Sequence, residues 1–484
     1  MATARPSLWA AGALDVPDSN NPVKFSLRKK RLVVAVGVAT IINSGLGSSL
    51  PSGATSAIAK DLNVTNPTLL VLLNSIYLVG FAIGPLLFGP LSEHVGRRPV
   101  LIGTYLGYTI STMCCAVSPT FGVLLLFRLL CGIAAGAPNA VVGPLYADVY
   151  DDPAPRGRAM AYFMCSTSMT PPFGPIISGY ASKISWRLSF WIGLGIAVVC
   201  LPVILVVPET YVPVIKRRLM KDGEARGSEA GVLAQGNKTR LLDELKVVFS
   251  RPFKMIFQEP LVLFTSLYLA LIYATLYLFF QAYPIIFQGV YGLSPGEVGL
   301  TLLPVAAGSV IALCLFLWYS SHHAKALKAG SAWAISDEYR RLPLACAGGP
   351  LVVASLFWLG WTSYPSIHPA VPALSGLLFG TGYLIIFMAM LNYLGDAYKQ
   401  FSASAQAAAS TTRSIVAVCL PLAAAPMYGN LGIQWACSLL AFLTLIMALI
   451  PFVFIKFGPS IRQRSPFCQQ VLQLTQITPI ALDA

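Results

Sequence analysis

The residues whose types and spacing suit chemistry sit in a few places, and the chemistry they suit is ion pairing and proton transfer. The first is the run Gly89-Pro90-Leu91-Ser92-Glu93-His94-Val95-Gly96-Arg97-Arg98. It joins two long apolar segments, Leu69 to Phe88 and Pro99 to Val117. A helix ends with free carbonyls, and the next begins with free amides. Arg97 and Arg98 can bond carbonyl ends or a nearby acid. Glu93 can cap the following helix or pair with an arginine. Gly89 lets another helix come close, and Gly96 permits a tight turn. Such a cluster can lock one conformation if its partner lies on a helix that moves. It can also act as plain positive anchoring.

The second place is Arg128-Leu129-Leu130-Cys131-Gly132-Ile133-Ala134-Ala135-Gly136. An arginine about two turns inside an apolar segment is expensive and suggests function. At 100° per residue, Gly132, Asn139 and Tyr146 fall within about 40° of Arg128. That is a polar stripe over small residues, suited to a cavity wall. A snorkelling anchor at the end of the segment is the competing account. The third is Pro171-Pro172-Phe173-Gly174-Pro175-Ile176-Ile177-Ser178-Gly179, where proline and glycine kink a helix or let helices pack closely. The fourth is a stripe of Tyr273, Tyr277, Phe280 and Pro284 at helical spacing. It suits a cavity that stacks planar or lipophilic molecules, or a packed helix face. Asn43, Asn74, Asn139, Gln281 and Asn392 are polar residues that could add hydrogen bonds to a substrate.

The elements that must position these residues are membrane spans. The chain has 484 residues, 56% hydrophobic and 11% charged, with net charge +14. Its mean hydropathy is +0.69. Soluble domains carry roughly 25% charged residues, so this is an all-α polytopic membrane protein. A crossing needs about 20 apolar residues. Twelve such segments begin near Leu32, Leu69, Pro99, Phe121, Ala159, Leu188, Pro260, Val298, Pro343, Pro369, Ala403 and Ile433. The first follows Arg28-Lys29-Lys30-Arg31 and has no small-residue cleavage site, so it is expected to be a span and not a signal peptide. The expected organisation is an N-terminal segment 1–31, a six-helix half 32–207, a linker 208–259, a second half 260–456 and a tail 457–484. The linker stretch Lys238 to Phe249 alternates charged and apolar residues like an amphipathic surface helix.

Lys and Arg in short loops set the orientation. Loops 92–98, 150–158, 321–342 and 396–402 hold two, two, four and one basic residues, and loops 118–120, 288–297, 363–368 and 429–432 hold none. Lys60, Lys183 and Arg187 are exceptions. The bias places both termini in the cytoplasm. Asn63-Val64-Thr65 then falls on the outer side, as a glycosylation acceptor or an unmodified turn. Asn237-Lys238-Thr239 falls inside.

All nineteen acids lie in loops, the linker or span ends, and the only deep charge expected is Arg128. His322-His323 reads as a solvated pair. The cysteines show no metal spacing and read as packing residues. No phosphate-binding loop is present. No metal or cofactor is expected, and an enzyme lacks support.

The run 89–98 resembles the loop between spans two and three of the major facilitator superfamily, pattern G-x-L-a-D-r-x-G-r-k, with Glu93 for the usual Asp and His94 for a basic residue. The resemblance implies a loop that pairs with an acid at the end of span four and stabilises the outward-open state. The matching acid is Asp148, with Asp151 and Asp152 as close competitors. Arg128 and Gly132 resemble the span-four R-x-x-x-G pattern, which implies a part in proton coupling. Gly174, Pro175 and Gly179 resemble the antiporter pattern G-P-x-x-G-G, with Ser178 replacing its first glycine. Pro208-Glu209-Thr210-Tyr211, Asn21 to Ser26, Trp186-Arg187, Tyr291 to Ser294, Glu338 to Leu342 and Ala403 to Arg413 resemble fungal twelve-span drug:proton antiporters.

Membership would imply a monomer in the lipid bilayer that exports a small lipophilic substrate by alternating access. It would exchange that substrate for protons at the plasma membrane and have no nucleic-acid partner. A nutrient importer, a vacuolar carrier and a non-transporting sensor are the other readings. The placement of the acids predicts a substrate that is neutral or anionic. In a transport assay, neutral aromatics should compete better than quaternary amines; the reverse order would sink this expectation.

Overall fold

The structure, a computed structural model, describes residues 21–217, 254–398 and 402–469. Most of the expected linker lies outside them, including the amphipathic stretch over 238–249 and Asn237. Among the described residues there are helices and turns but no strand. Ten of the helices among the described residues are long and apolar enough to cross a membrane.

Two further crossings complete the expected twelve. Span 5 is broken into Pro153–Met169 and Phe173–Ala181 around the Pro171-Pro172 pair. Span 11, Ser402–Leu422, is rich in Ala, Ser and Thr. The helical stretch Ala424–Arg464 has 41 residues, about 60 Å if straight, twice the hydrocarbon thickness. It turns at Gly432, where φ is 74°, so its first part extends span 11 and the rest is span 12.

The remaining spans are single helices or close to it. Span 1 is Leu27–Ser49, span 2 Pro67–Val95, span 3 Arg97–Val117, span 4 Phe121–Val149 and span 6 Trp186–Leu205. Span 7 is Pro260–Tyr283, continued by a π-helical turn at Pro284–Gln288. Span 8 is Pro295–Leu300 with Leu303–Lys328, span 9 Asp337–Thr362 and span 10 Ala370–Tyr398.

Local chemistry sets the ends. Asn66 Oδ1 accepts from the Thr68 amide at 2.9 Å, and Pro67 opens span 2 without losing a hydrogen bond. Gly96, with φ 113°, separates spans 2 and 3 in a conformation that other residues rarely adopt. Asn63 is exposed, with φ 52°, a left-handed turn that asparagine tolerates.

Small residues decide which helices touch. A Cβ on Gly132 would collide with the Tyr77 carbonyl, and one on Gly80 with the Leu129 carbonyl. Spans 2 and 4 therefore cross backbone to backbone. Spans 8 and 10 repeat the arrangement in the second half, where Gly380 meets the Val305 carbonyl and Gly308 the Leu377 carbonyl. In lipid such close approach supplies the attraction between helices. The same device joins the halves: Gly179 abuts Pro295 and Gly296, and Gly299 abuts Pro175 and Ile176. Ser168 Oγ and Ser309 Oγ share a 2.6 Å hydrogen bond along this seam between spans 5 and 8.

Gly132→Leu should destabilise the detergent-solubilised protein by about 1–3 kcal/mol through overpacking. Gly103→Leu should not, because nothing lies within 4 Å of an added Cβ there. Thermal unfolding followed by gel filtration measures both. Equal losses at the two positions would remove the packing argument.

Candidate functional site

The loops after spans 2, 4, 8 and 10 share one face with both described ends of the chain. This face carries the Arg- and Lys-rich loops and is called the basic face below. At its first corner, Arg97 Nε lies 3.5 Å from Asp148 Oδ2, and both side chains are nearly fully buried. Asp148 also accepts from Thr210 Oγ1 at 3.1 Å, and the Arg97 guanidinium stacks 4.9 Å above the Tyr211 ring. Burial, reinforced by the charge of Glu93, holds the Tyr211 phenol above its ordinary range, so the ring meets the arginine as a neutral face.

As the resemblance implied, Asp148 pairs with Arg97, while Asp151 and Asp152 are exposed beyond the helix end. Two features of this corner differ from the sequence reading. The cap of span 3 is Glu209, not Glu93. Glu209 accepts from the Arg97 amide at 3.0 Å and from the Arg98 amide at 3.3 Å. A carboxylate at a helix N-terminus satisfies free amides and opposes the positive end of the helix dipole. Gly96 is required here, because a Cβ on it would strike that carboxylate. Lastly, spans 3, 4 and 6 all belong to one half, so the Arg97–Asp148 pair braces that half and does not itself cross to the other. Glu93 is exposed and lines the central cavity instead.

The second half has a matching corner. Arg341 Nε lies 3.1 Å from Asp396 Oδ2, and Arg462 pairs with the buried Glu338. These acids close spans 9, 10 and 12 as Asp148 and Glu209 close spans 3, 4 and 6. On the opposite face, Arg187 pairs with Asp61 at 2.7 Å. One exception to the charge bias is therefore neutralised locally.

Arg128 does not line a cavity, contrary to expectation. It is 1% exposed. Nε donates to the Leu73 carbonyl at 2.9 Å, Nη1 to Gly47 at 2.6 Å and Nη2 to Ser48 at 3.1 Å. Its guanidinium carbon sits 4.5 Å above the Tyr77 ring. Carbonyls freed near the end of span 1 replace a carboxylate partner, and the planar donors of arginine reach two helices at once. Tyr146 likewise turns inward and donates to the Val34 carbonyl at 3.0 Å. Of the predicted stripe, only Asn139 faces open space.

That space is a cavity of about 210 Å³ between the halves, reaching from the middle of the bundle to Glu93 near the basic face. Spans 2, 4, 5, 10 and 11 line it with chiefly apolar side chains, among them Met160, Phe163, Tyr383, Leu384 and Phe387. Its charged lining residues are Glu93 and Arg413. Arg413 corrects the expectation of a single deep charge. It is 8% exposed and lies well inside span 11. Its signal was present in the sequence, since an arginine ten residues past Ala403 warrants the same attention as Arg128.

The aromatic stripe lies behind this wall. Tyr273 sits beneath Arg413, 4.7 Å from the guanidinium carbon. Its hydroxyl donates to Tyr277 at 3.3 Å, and Tyr277 donates to Ser48 Oγ at 2.9 Å. Phe280 and Pro284 close the seam against Ser52, Gly53 and Pro175. Asn43 and Asn392 spend their amides on carbonyls of their own helices, Ala39 and Met388. Asn74 donates to Ser52 Oγ at 2.9 Å, and Gln281 is half-buried outside the cavity. Gly136 packs against the Phe81 carbonyl, Gly89 lines the cavity, and Gly174 abuts Ser49.

Two six-helix halves around one central cavity define the class of polytopic membrane transporters. A family model described as Major Facilitator Superfamily matches residues 36–421, and the chain belongs to that superfamily. It is 35% identical to the MFS-type transporter paaT of Penicillium rubens over 96% of this chain and 85% of that protein. It is 33% identical to the efflux pump FUB11 of Gibberella moniliformis, over 95% and 78% respectively. The fold is similar to that of the proton:xylose symporter XylE bound to 6-bromo-6-deoxy-D-glucose, with TM-score 0.65, 16% identity, and coverage of 90% of this chain and 96% of that one.

Arg128→Lys should lower thermal stability in detergent. A lysine cannot reach three carbonyls on two helices, and each buried group left unpaired costs about 1–3 kcal/mol. An unchanged unfolding midpoint would remove this bracing role.

Proposed function

We propose that this transporter exports a small lipophilic compound, neutral or anionic, in exchange for protons, by alternating access at the plasma membrane. The carrying observation is the central cavity. It is apolar, has no acid in its depth among the described residues, extends to the basic face, and ends at a tight glycine and serine seam toward the other face. Loop charge makes the basic face cytoplasmic, so the cavity is open to a cargo arriving from inside. Asn63 then lies outside the cell, exposed, as a glycan acceptor. The likeness to the efflux pump FUB11 supports the direction.

The rocking bodies are the halves 32–207 and 260–456, joined by the linker 208–259, in a monomer. Arg97, Arg98 and Gly96, with Asp148 and Glu209, keep spans 3, 4 and 6 moving as one piece. Glu93 lines the same cavity as Ser404 and Gln406 near the start of span 11. When the cavity closes on the basic side, its carboxylate meets the positive end of that helix, and this contact is the latch. The proton is carried by Asp148 or Glu93. Arg128 has no acid beside it and supports coupling by holding spans 1, 2 and 4 together.

The test is expression in a pump-deficient yeast loaded with a lipophilic aromatic probe. The protein should lower accumulation, a protonophore should abolish the effect, and Asp148→Asn should abolish uphill efflux while the protein still reaches the membrane. Raised accumulation would point to import. Efflux indifferent to the protonophore would remove proton exchange.

A further inference from the structure

Two buried donors at the cavity have no partner. One is Arg413 Nε, and the other is Asn139 Nδ2. Buried donors are paired in nearly all proteins, so an orphan at a cavity wall needs an explanation. Arg413 comes from the second half and Asn139 from the first, and both line the same space.

The surroundings of Arg413 hold its charge without using up its donors. The guanidinium carbon lies 4.7 Å from the Tyr273 ring and 5.4 Å from the Phe387 ring. Tyr383 stacks on Phe387 with centroids 4.7 Å apart. Ring faces stabilise a cation but accept little along the edge of the guanidinium, where its N–H groups point. One edge donor, Nη2, bonds Ser410 Oγ at 3.2 Å. Among the described residues, the other charged lining residue is Glu93, at the mouth.

We propose that the cavity binds a lipophilic organic monoanion through its carboxylate, with Arg413 as the anion anchor and Asn139 as a second donor from the facing half. This rests on the reading of the cavity as the substrate site and narrows "neutral or anionic" to anionic. Guanidinium and carboxylate match as two parallel hydrogen bonds. The apolar body lies against Phe163, Met160 and Phe387. At about 210 Å³ the cavity is smaller than the ~300–1,000 Å³ of pockets for drug-sized ligands, so the cargo is a small acid with one ring system or a short chain. Because the two donors sit on different halves, a bound carboxylate links them, and the link is absent when the site is empty.

The experiment measures thermal stabilisation of the purified full-length protein by matched probes: benzoate, benzamide and benzylamine, then 1-naphthoate, 1-naphthamide and 1-naphthylmethylamine. The carboxylates should stabilise at concentrations about tenfold below the amides, the size of one charge-assisted hydrogen bond, and the amines least. Arg413→Gln should erase the preference of acid over amide while amide binding persists. Arg413→Lys should restore part of it, and Asn139→Ala should reduce it. Acids and amides binding alike to the native protein would overturn the anion site and leave the lipophilic cavity standing, whatever the variants do. Amines binding best would overturn both the anion site and the neutral-or-anionic cargo. A preference for acids that survives Arg413→Gln would overturn the assignment to Arg413. Failure of every probe to stabilise would overturn the cavity as a substrate site together with the anion site.

Discussion

Helices in hydrocarbon gain nothing from hydrophobicity when they meet, so close contact itself must hold them together. That constraint organises this molecule. Glycines let spans 2 and 4 touch backbone to backbone, and spans 8 and 10 do the same in the other half. The central crossing of each half is therefore a backbone contact, close enough to exclude a side chain at these glycines. The seam between spans 5 and 8 uses the same kind of contact across the halves. It is tight near Gly179 and Gly296 and gives way to open space toward the basic face. The cavity exists where small-residue contact stops.

Charge is handled by what lies within reach. Arg97, Arg341 and Arg462 have acids at helix ends. Arg128 has none and takes three carbonyls. Two of them, Gly47 and Ser48, lie at the end of span 1, and a helix end is the cheapest source of acceptors in a membrane because its carbonyls are already unpaired. Arg413 lies away from any such end. It rests on aromatic rings and keeps an unpartnered donor. The three kinds of arginine thus differ in what answers their charge: the first has a carboxylate, the second has carbonyls, and the third has ring faces and an open cavity.

Much of the fold was legible in the sequence, because apolar length and loop charge are one-dimensional signals. The twelve segments, their pairing in halves and Gly96 as the break between spans 2 and 3 could all be read from residue types. Asp148 as the partner of Arg97 came from the family resemblance. The site was less legible. Whether Tyr273 faces the cavity or lies one layer behind it depends on the rotation of span 7, and spacing alone leaves that rotation open. Glu209 displaced Glu93 as the cap of span 3 because span 6 ends beside Gly96, a long-range fact. Arg413 was missed because its Ala-, Ser- and Thr-rich neighbours dilute the apolar run that makes a buried charge conspicuous.

The isolation of Arg413 has an electrical consequence. With no acid in the depth of the cavity, the empty site carries a positive charge, and a bound monoanion cancels it. One charge crossing 100 mV is worth about 2.3 kcal/mol. On the proposed reading, a carrier loaded with a monoanion would cross the field nearly neutral, while the return leg, with the site positive and a proton aboard, would feel its full force. In a membrane negative on the side of the basic face, voltage would draw that site back toward a new cargo. The potential would then act on the reset of the cycle and leave the export leg almost untouched.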